Sequence, residues 1–156
     1  MSKLIQAIIV SLLVTTQSGP SQSPAKDLPA KLESQISREY RTSFNTTYKR
    51  LLTAQLRQDW PAVYRIALPQ DQKNVSEAEF RKLHENQNWK LLDFTPTRLD
   101  RTVEPASGNA NGRWDIVGDL TILEHGKKRS VEGLLTIYLV EGTWYAGEVG
   151  ILAPLH

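Results

Sequence analysis

The apolar residues of this chain change their spacing once, between Asn86 and Trp89, and that switch limits the folds open to it. Before it, Leu32, Ile36, Tyr40, Phe44, Tyr48, Leu51 and Leu52 recur every three or four residues, the period of a helix. After it, Trp89, Leu91 and Asp93 alternate with Lys90, Leu92 and Phe94, the period of a strand. A chain of 156 residues that is helical first and strand-like last predicts a single α+β domain. Its N-terminal helices, one long, one short and a capped third, would pack in a strongly bent four-stranded antiparallel sheet.

The helical half carries its own punctuation. The stripe starting at Pro29 predicts one long helix to about Asp59, where Pro61 holds Trp60 away from helical geometry. Arg38, Arg41, Lys49 and Arg50 fall largely off the stripe, as a solvated side would require. Asp59-Trp60-Pro61-Ala62 opens a second, short helix with proline in its first turn, turning Val63, Ile66 and Ala67 inward and stopping before Pro69. Ser76 and Glu79 then form the S-x-x-E capping box, with Val75 and Phe80 as its hydrophobic staple, so a third helix runs from Glu77 to Glu85.

In the strand half, Pro96 cannot donate to a ladder and marks a bulge or an edge. The composition of Glu104–Gly112 is that of a mobile loop. Trp114, Ile116, Gly118, Leu120 and Ile122 share one face of the next strand. Tight turns are expected at Glu124-His125-Gly126-Lys127 and at Glu141-Gly142, with the last strand over Thr143–Val149. Gly118, Gly133 and Gly147 interrupt three different strands, which permits sharp coiling.

Ahead of the helices, Leu4–Val14 is an apolar run behind Lys3, too short to span a membrane comfortably and of signal-peptide length. Thr16-Gln17-Ser18 offers a cleavage pattern before Gly19. The expected organisation is a signal peptide over 1–18, a disordered linker over 19–29 and the domain over 30–156. The mature chain would be exported, periplasmic or secreted, with no stable membrane anchor once the signal is removed. The absence of cysteine excludes disulfides, thiolate metal sites and a cysteine nucleophile. The formal charge of +2 falls to +1 without Lys3, and Lys127-Lys128-Arg129 sits at a turn, so nucleic acid is not an expected partner.

Two stretches carry a resemblance. Asp59-Trp60-Pro61-Ala62-Val63-Tyr64 followed by Ser76-Glu77-Ala78-Glu79-Phe80, and the closing Leu134–Leu139 with Gly142-Thr143-Trp144-Tyr145, resemble the nuclear transport factor 2-like superfamily, a cystatin-like α+β cone. The likeness covers about Leu32 to Leu152. It implies the fold and carries no activity, because that superfamily hosts isomerases, dehydratases and many non-catalytic domains.

The same resemblance implies where an active site would lie: in the cone, with an acidic base and an aromatic or histidine donor. Asp93, Asp115 and Asp119 are the acids, and Tyr48, Tyr64 and Tyr138 the donors. Alternation puts Asp115 and Asp119 opposite Trp114 and Ile116, hence toward solvent, whereas Asp93 shares the face of Trp89 and Leu91. Asp93 is therefore the catalytic candidate, against the simpler reading of an edge carboxylate near Lys90 or Arg98. His84, His125 and His156 do not cluster and carry no metal-ligand spacing. No cofactor is implied.

What remains is an abundance of rings. Tyr40, Phe44 and Tyr48 on the long helix would face a sheet carrying Trp114, Tyr138 and Trp144, residues fit either for a core or for lining an apolar pocket. The resulting expectation is an exported non-catalytic binding domain. It would hold a small apolar ligand in the cone or a protein partner on the open sheet face. The alternatives are a small isomerase- or dehydratase-type enzyme using a buried Asp93, and a structural envelope homodimer pairing through the face of Leu134, Tyr138 and Val140.

Overall fold

The computed structural model describes residues 24–102, 110–147 and 153–154. The expected signal segment, residues 19–23 of the linker, residues 104–109 of the loop and His156 lie outside the described residues. Among the described residues, five helices precede and pack against an antiparallel meander that is curled but not closed.

The expected long helix is broken in two: α1 (Ala30–Glu33) and α2 (Arg41–Leu56). Between them the backbone makes tight turns, with Ile36 N–H on the Glu33 carbonyl and Tyr40 N–H on the Ser37 carbonyl, and Ser34 Oγ donates back to the Lys31 carbonyl. Serines offer the backbone such local partners, which is why they interrupt a helix whose apolar period continues across them. Gln58 at φ 56° terminates α2: its N–H meets the Gln55 carbonyl and the Asp59 N–H meets the Ala54 carbonyl, a Schellman closure without glycine.

Asp59 then caps α3 (Trp60–Ile66), accepting from Ala62 N–H at 3.1 Å. A further short helix, α4 (Pro69–Asn74), starts on Pro69 where the sequence suggests only a stop; proline fits a first helical turn as well as it ends a previous one. In α5 (Glu77–Glu85) both capping-box bonds form, Ser76 N–H to Glu79 Oε2 at 3.0 Å and Glu79 N–H to Ser76 Oγ at 3.3 Å.

Strands β1 (Trp89–Thr102), β2 (Ala110–Glu124), β3 (Lys127–Val140) and β4 (Thr143–Ala146) run in that order, and β5 (Ala153–Pro154) pairs with β3 beyond the end of β4. Both hairpin turns have positive φ at two central residues, His125 and Gly126 in one, Glu141 and Gly142 in the other. That is the two-residue geometry that matches strand twist.

Pro96, Gly118, Gly133 and Pro154 are cross-strand neighbours, so one line crosses four strands with no side chain at its two middle positions. A β-carbon on Gly118 would lie 2.7 Å from the Phe94 ring and 2.9 Å from Pro96 Cα, and closer still to the Thr95 carbonyl. The strands approach across this crease, and Phe94 and Leu120, both fully buried, lean into it.

The core lies between the curled sheet and α2, α3 and α5, with Ile116, Leu120, Leu135 and Ile137 from the sheet meeting Phe44, Leu51, Leu52, Val63 and Phe80. Pro24–Pro29, within the span that composition marks as linker, also packs here. Leu28 is buried, Ala25 rests on the core, and Lys26 and Asp27 are ion-paired to Asp93 and Lys49. Prolines and polar residues signal a lack of regular structure, not a lack of contacts. Burying Leu28, Leu32 and Ile36 contributes about 1.5–3 kcal/mol each, whereas the two ion pairs, both open to water, contribute about 0–1 kcal/mol each.

Candidate functional site

The rings named from the sequence divide between the two faces of the sheet. Trp114 lies opposite Ile137 and Trp144 opposite Leu139, all on the helix side. There Phe44 meets Trp144 at 5.2 Å and Trp114 at 6.1 Å between ring centres. Trp114 meets Trp144 at 4.9 Å, and Tyr40 meets Trp144 at 5.9 Å. All four contacts are edge-to-face, the arrangement that ring quadrupoles favour. Trp144 Nε1–H donates to Ser43 Oγ at 2.9 Å, tying β4 to the first turn of α2. Tyr48 follows Phe44 by one turn and joins the same core.

Tyr138 is separated from them. It pairs with Arg113 across the ladder, and the Arg113 guanidinium lies 5.8 Å over its ring on the outer face. Beside it Asp115 accepts from Arg113 Nε–H at 3.0 Å and from Thr136 Oγ–H at 2.7 Å, a half-buried structural group. Asp119 is exposed. Leu134 and Val140 are half-buried, and Tyr138 is buried.

Asp93 does not keep the face of Leu91. The ladder pairs Leu91 with Ile122 but Asp93 with Thr121, so a bulge at Leu92 slips the alternation. The Asp93 carboxylate is bound by the Lys26 ammonium, which also reaches Thr95 Oγ1 at 3.1 Å. Tyr64 is a latch: its hydroxyl is 2.7 Å from the Val75 carbonyl and 3.1 Å from the Gln72 carbonyl, holding α4 to α3. His84 lies against Trp60 and Phe80 with Nδ1 3.3 Å from Gln87 Oε1; burial lowers its pKa, against the pull of the Gln87 bond. His125 is an exposed turn residue. Among the described residues no three histidine or carboxylate groups converge as metal ligands.

Among the described residues, three polar side-chain atoms are sealed from solvent without a hydrogen-bond partner: Arg41 Nε, Asn45 Oδ1 and Tyr48 Oη. They stand at i, i+4 and i+7 on α2, one stripe of the helix. Arg41 thus departs from its expected place on the solvated side with Arg38, Lys49 and Arg50, which are exposed. Tyr48 is wholly buried, and burial, reinforced by the nearby Asp27 and Asp93 carboxylates, pushes its phenol well above its ordinary pKa. It is therefore a neutral hydroxyl throughout the physiological range. The spacing of Arg41, Asn45 and Tyr48 is visible in the sequence; their sealing is not, because it depends on what lies over α2.

Elsewhere a surface groove of about 490 Å³ is lined by Asn74, Val75, Glu79, Lys82, Leu83 and Asn86, with Leu83 exposed. In comparisons with known proteins, the chain matches no family model and no curated protein.

Proposed function

We propose that this chain is an exported binding domain, with no catalytic role, that holds a small, largely apolar molecule inside the cone. The observation that carries this reading is the Tyr48 hydroxyl, wholly buried and bonded to nothing among the described residues, at the border of an interlocked aromatic core. A buried hydroxyl without a partner costs about 1–3 kcal/mol, so a protein that keeps one is expected to meet it with a bound molecule or water. The rings themselves fill one another's space, so the occupant would lie beside them, along α2.

Two observations favour the inside of the cone over the alternatives. The outer sheet face is a poor docking surface, since Leu134 and Val140 are half-buried and Tyr138 is covered. Asp93, the acid an isomerase or dehydratase would need, is already tied to Lys26.

Native mass spectrometry of the protein recovered from its own host's envelope or extracellular fraction tests the proposal. A reproducible small adduct, released on denaturation, is the expected result. A clean apo mass for every preparation overturns it.

A further inference from the structure

We infer that the Arg41–Asn45–Tyr48 stripe of α2 is the polar wall of the proposed ligand site, and that it takes a small hydroxylated carboxylate whose head lies at Arg41 and whose hydroxyl lies between Asn45 and Tyr48. This inference rests on the binding reading above and adds the ligand's chemistry and direction.

The order of groups sets the direction. Arg41 is the first residue of α2, which begins without a side-chain cap, so the positive end of the helix dipole and the guanidinium charge coincide. Arg41 Nη2–H donates to the Ile36 carbonyl at 3.3 Å, its Nε–H is sealed and unused, and no carboxylate pairs with it among the described residues. A planar guanidinium with a free donor suits a carboxylate. One cation balances one negative charge. A phosphate dianion would bring a second, and Lys26 and Lys49, at the other end of the stripe, are already paired.

That other end has no spare positive charge, since Lys26 and Lys49 are paired with Asp93 and Asp27. Asp27 and Asp93 lie close enough to Tyr48 to act on its phenol. A neutral oxygen is the group that fits there. Asn45 offers an acceptor and Tyr48 a donor, three residues apart on the helix and therefore neighbours. A single hydroxyl satisfies both, donating to Asn45 Oδ1 and accepting from Tyr48 Oη–H. At 1.5 Å per residue the two ends of such a ligand are about 8 Å apart. Phe44, Leu51 and Leu52, all fully buried on the same helix, supply the apolar surroundings for the chain between them.

Access follows the N-terminal segment. Asp27 bonds Lys49, Lys26 bonds Asp93, and Ile36 meets Arg41, so residues 26–36 run along the same side of α2 as the stripe. Its outer end is held by the two solvent-exposed ion pairs, the Lys26–Thr95 hydrogen bond and the buried Leu28.

The test uses the whole chain, unfolded in guanidinium chloride, refolded to strip it, and titrated with hexanol, hexanoate and ω-hydroxyhexanoate while tryptophan fluorescence is followed. Hexanoate is expected to bind about tenfold tighter than hexanol, the size of one charge-assisted hydrogen bond. Arg41→Gln should abolish that difference. The ω-hydroxyl should tighten binding further, although it makes the chain more water-soluble, and that gain should vanish in Tyr48→Phe. Equal binding of all three probes, or gains that survive both substitutions, overturns the assignment of the stripe while leaving the binding reading intact. No binding of any probe overturns the assignment too. The binding reading then stands or falls separately, on the adduct of the recovered protein.

Discussion

Gly118→Ala tests how the sheet is bent. An added β-carbon would meet the Phe94 ring at 2.7 Å, Pro96 Cα at 2.9 Å and, closer still, the Thr95 carbonyl. Two of these three obstacles are backbone, so no rotamer change clears the way and β1 must move by roughly 1 Å. Overpacking of this kind costs about 1–3 kcal/mol, and with backbone as the obstacle the upper figure applies. For a domain of this size a loss of about 3 kcal/mol lowers Tm by roughly 10 °C. Gly126→Ala is the control. Nothing stands within 4 Å of its β-carbon, but φ is +76°, so its cost is conformational and about 1 kcal/mol. Asparagine tolerates that conformation, so Gly126→Asn should recover most of the loss, while Gly118→Asn should be worse than Gly118→Ala. Urea and thermal denaturation of the four variants decide the matter. A Gly118→Ala protein within about 1 kcal/mol of the parent, or no worse than Gly126→Ala, refutes the account of the crease as a steric close approach.

Other expectations follow from single groups. In the stripped protein Tyr48→Phe should be neutral or stabilising by up to about 1 kcal/mol in urea denaturation, since it removes an unpartnered hydroxyl from the core. His84 has a lowered pKa in the fold, so the unfolded chain takes up its proton first; stability should be full above about pH 6.5, decline as pH falls below it, and level off under the folded pKa. His84→Phe, which keeps a ring against Trp60 and Phe80, should flatten that slope in a denaturation series across pH. Gln58→Gly should stabilise by up to about 1 kcal/mol in thermal melts, because a left-handed C′ position suits glycine. Ser76→Ala should cost about 1 kcal/mol in the same assay by removing the cap of α5.

The parts legible in the sequence were those that local chemistry dictates. Ser76 and Glu79 satisfy each other within four residues, Pro61 takes its place in the first turn of the short helix, and His125-Gly126 and Glu141-Gly142 bend two strands without outside help. The breaks were harder. The apolar stripe from Leu32 to Tyr48 fits one continuous helix, and only the competition from serine hydroxyls and tight turns around Ile36 divides it. The candidate acid moved for a reason that alternation alone does not reveal: one extra residue at Leu92 takes Asp93 off the expected face. The sealed stripe was the least legible, since Arg41 and Asn45 are surface residues by type. Their burial is tertiary and leaves no local sequence signal, and the segment beside them, read in part as linker, is tied to the fold by long-range ion pairs.

The crease through Pro96, Gly118, Gly133 and Pro154 sets the bend of the sheet apart from the helices that pack against it. Curvature in many sheets comes from large side chains that push one face outward, so a change of ligand there risks a change of shape. Here the line across the strands holds two glycines and two prolines, on other elements than Arg41, Asn45 and Tyr48. Residues of α2 can be substituted without touching the glycines that let the sheet crease.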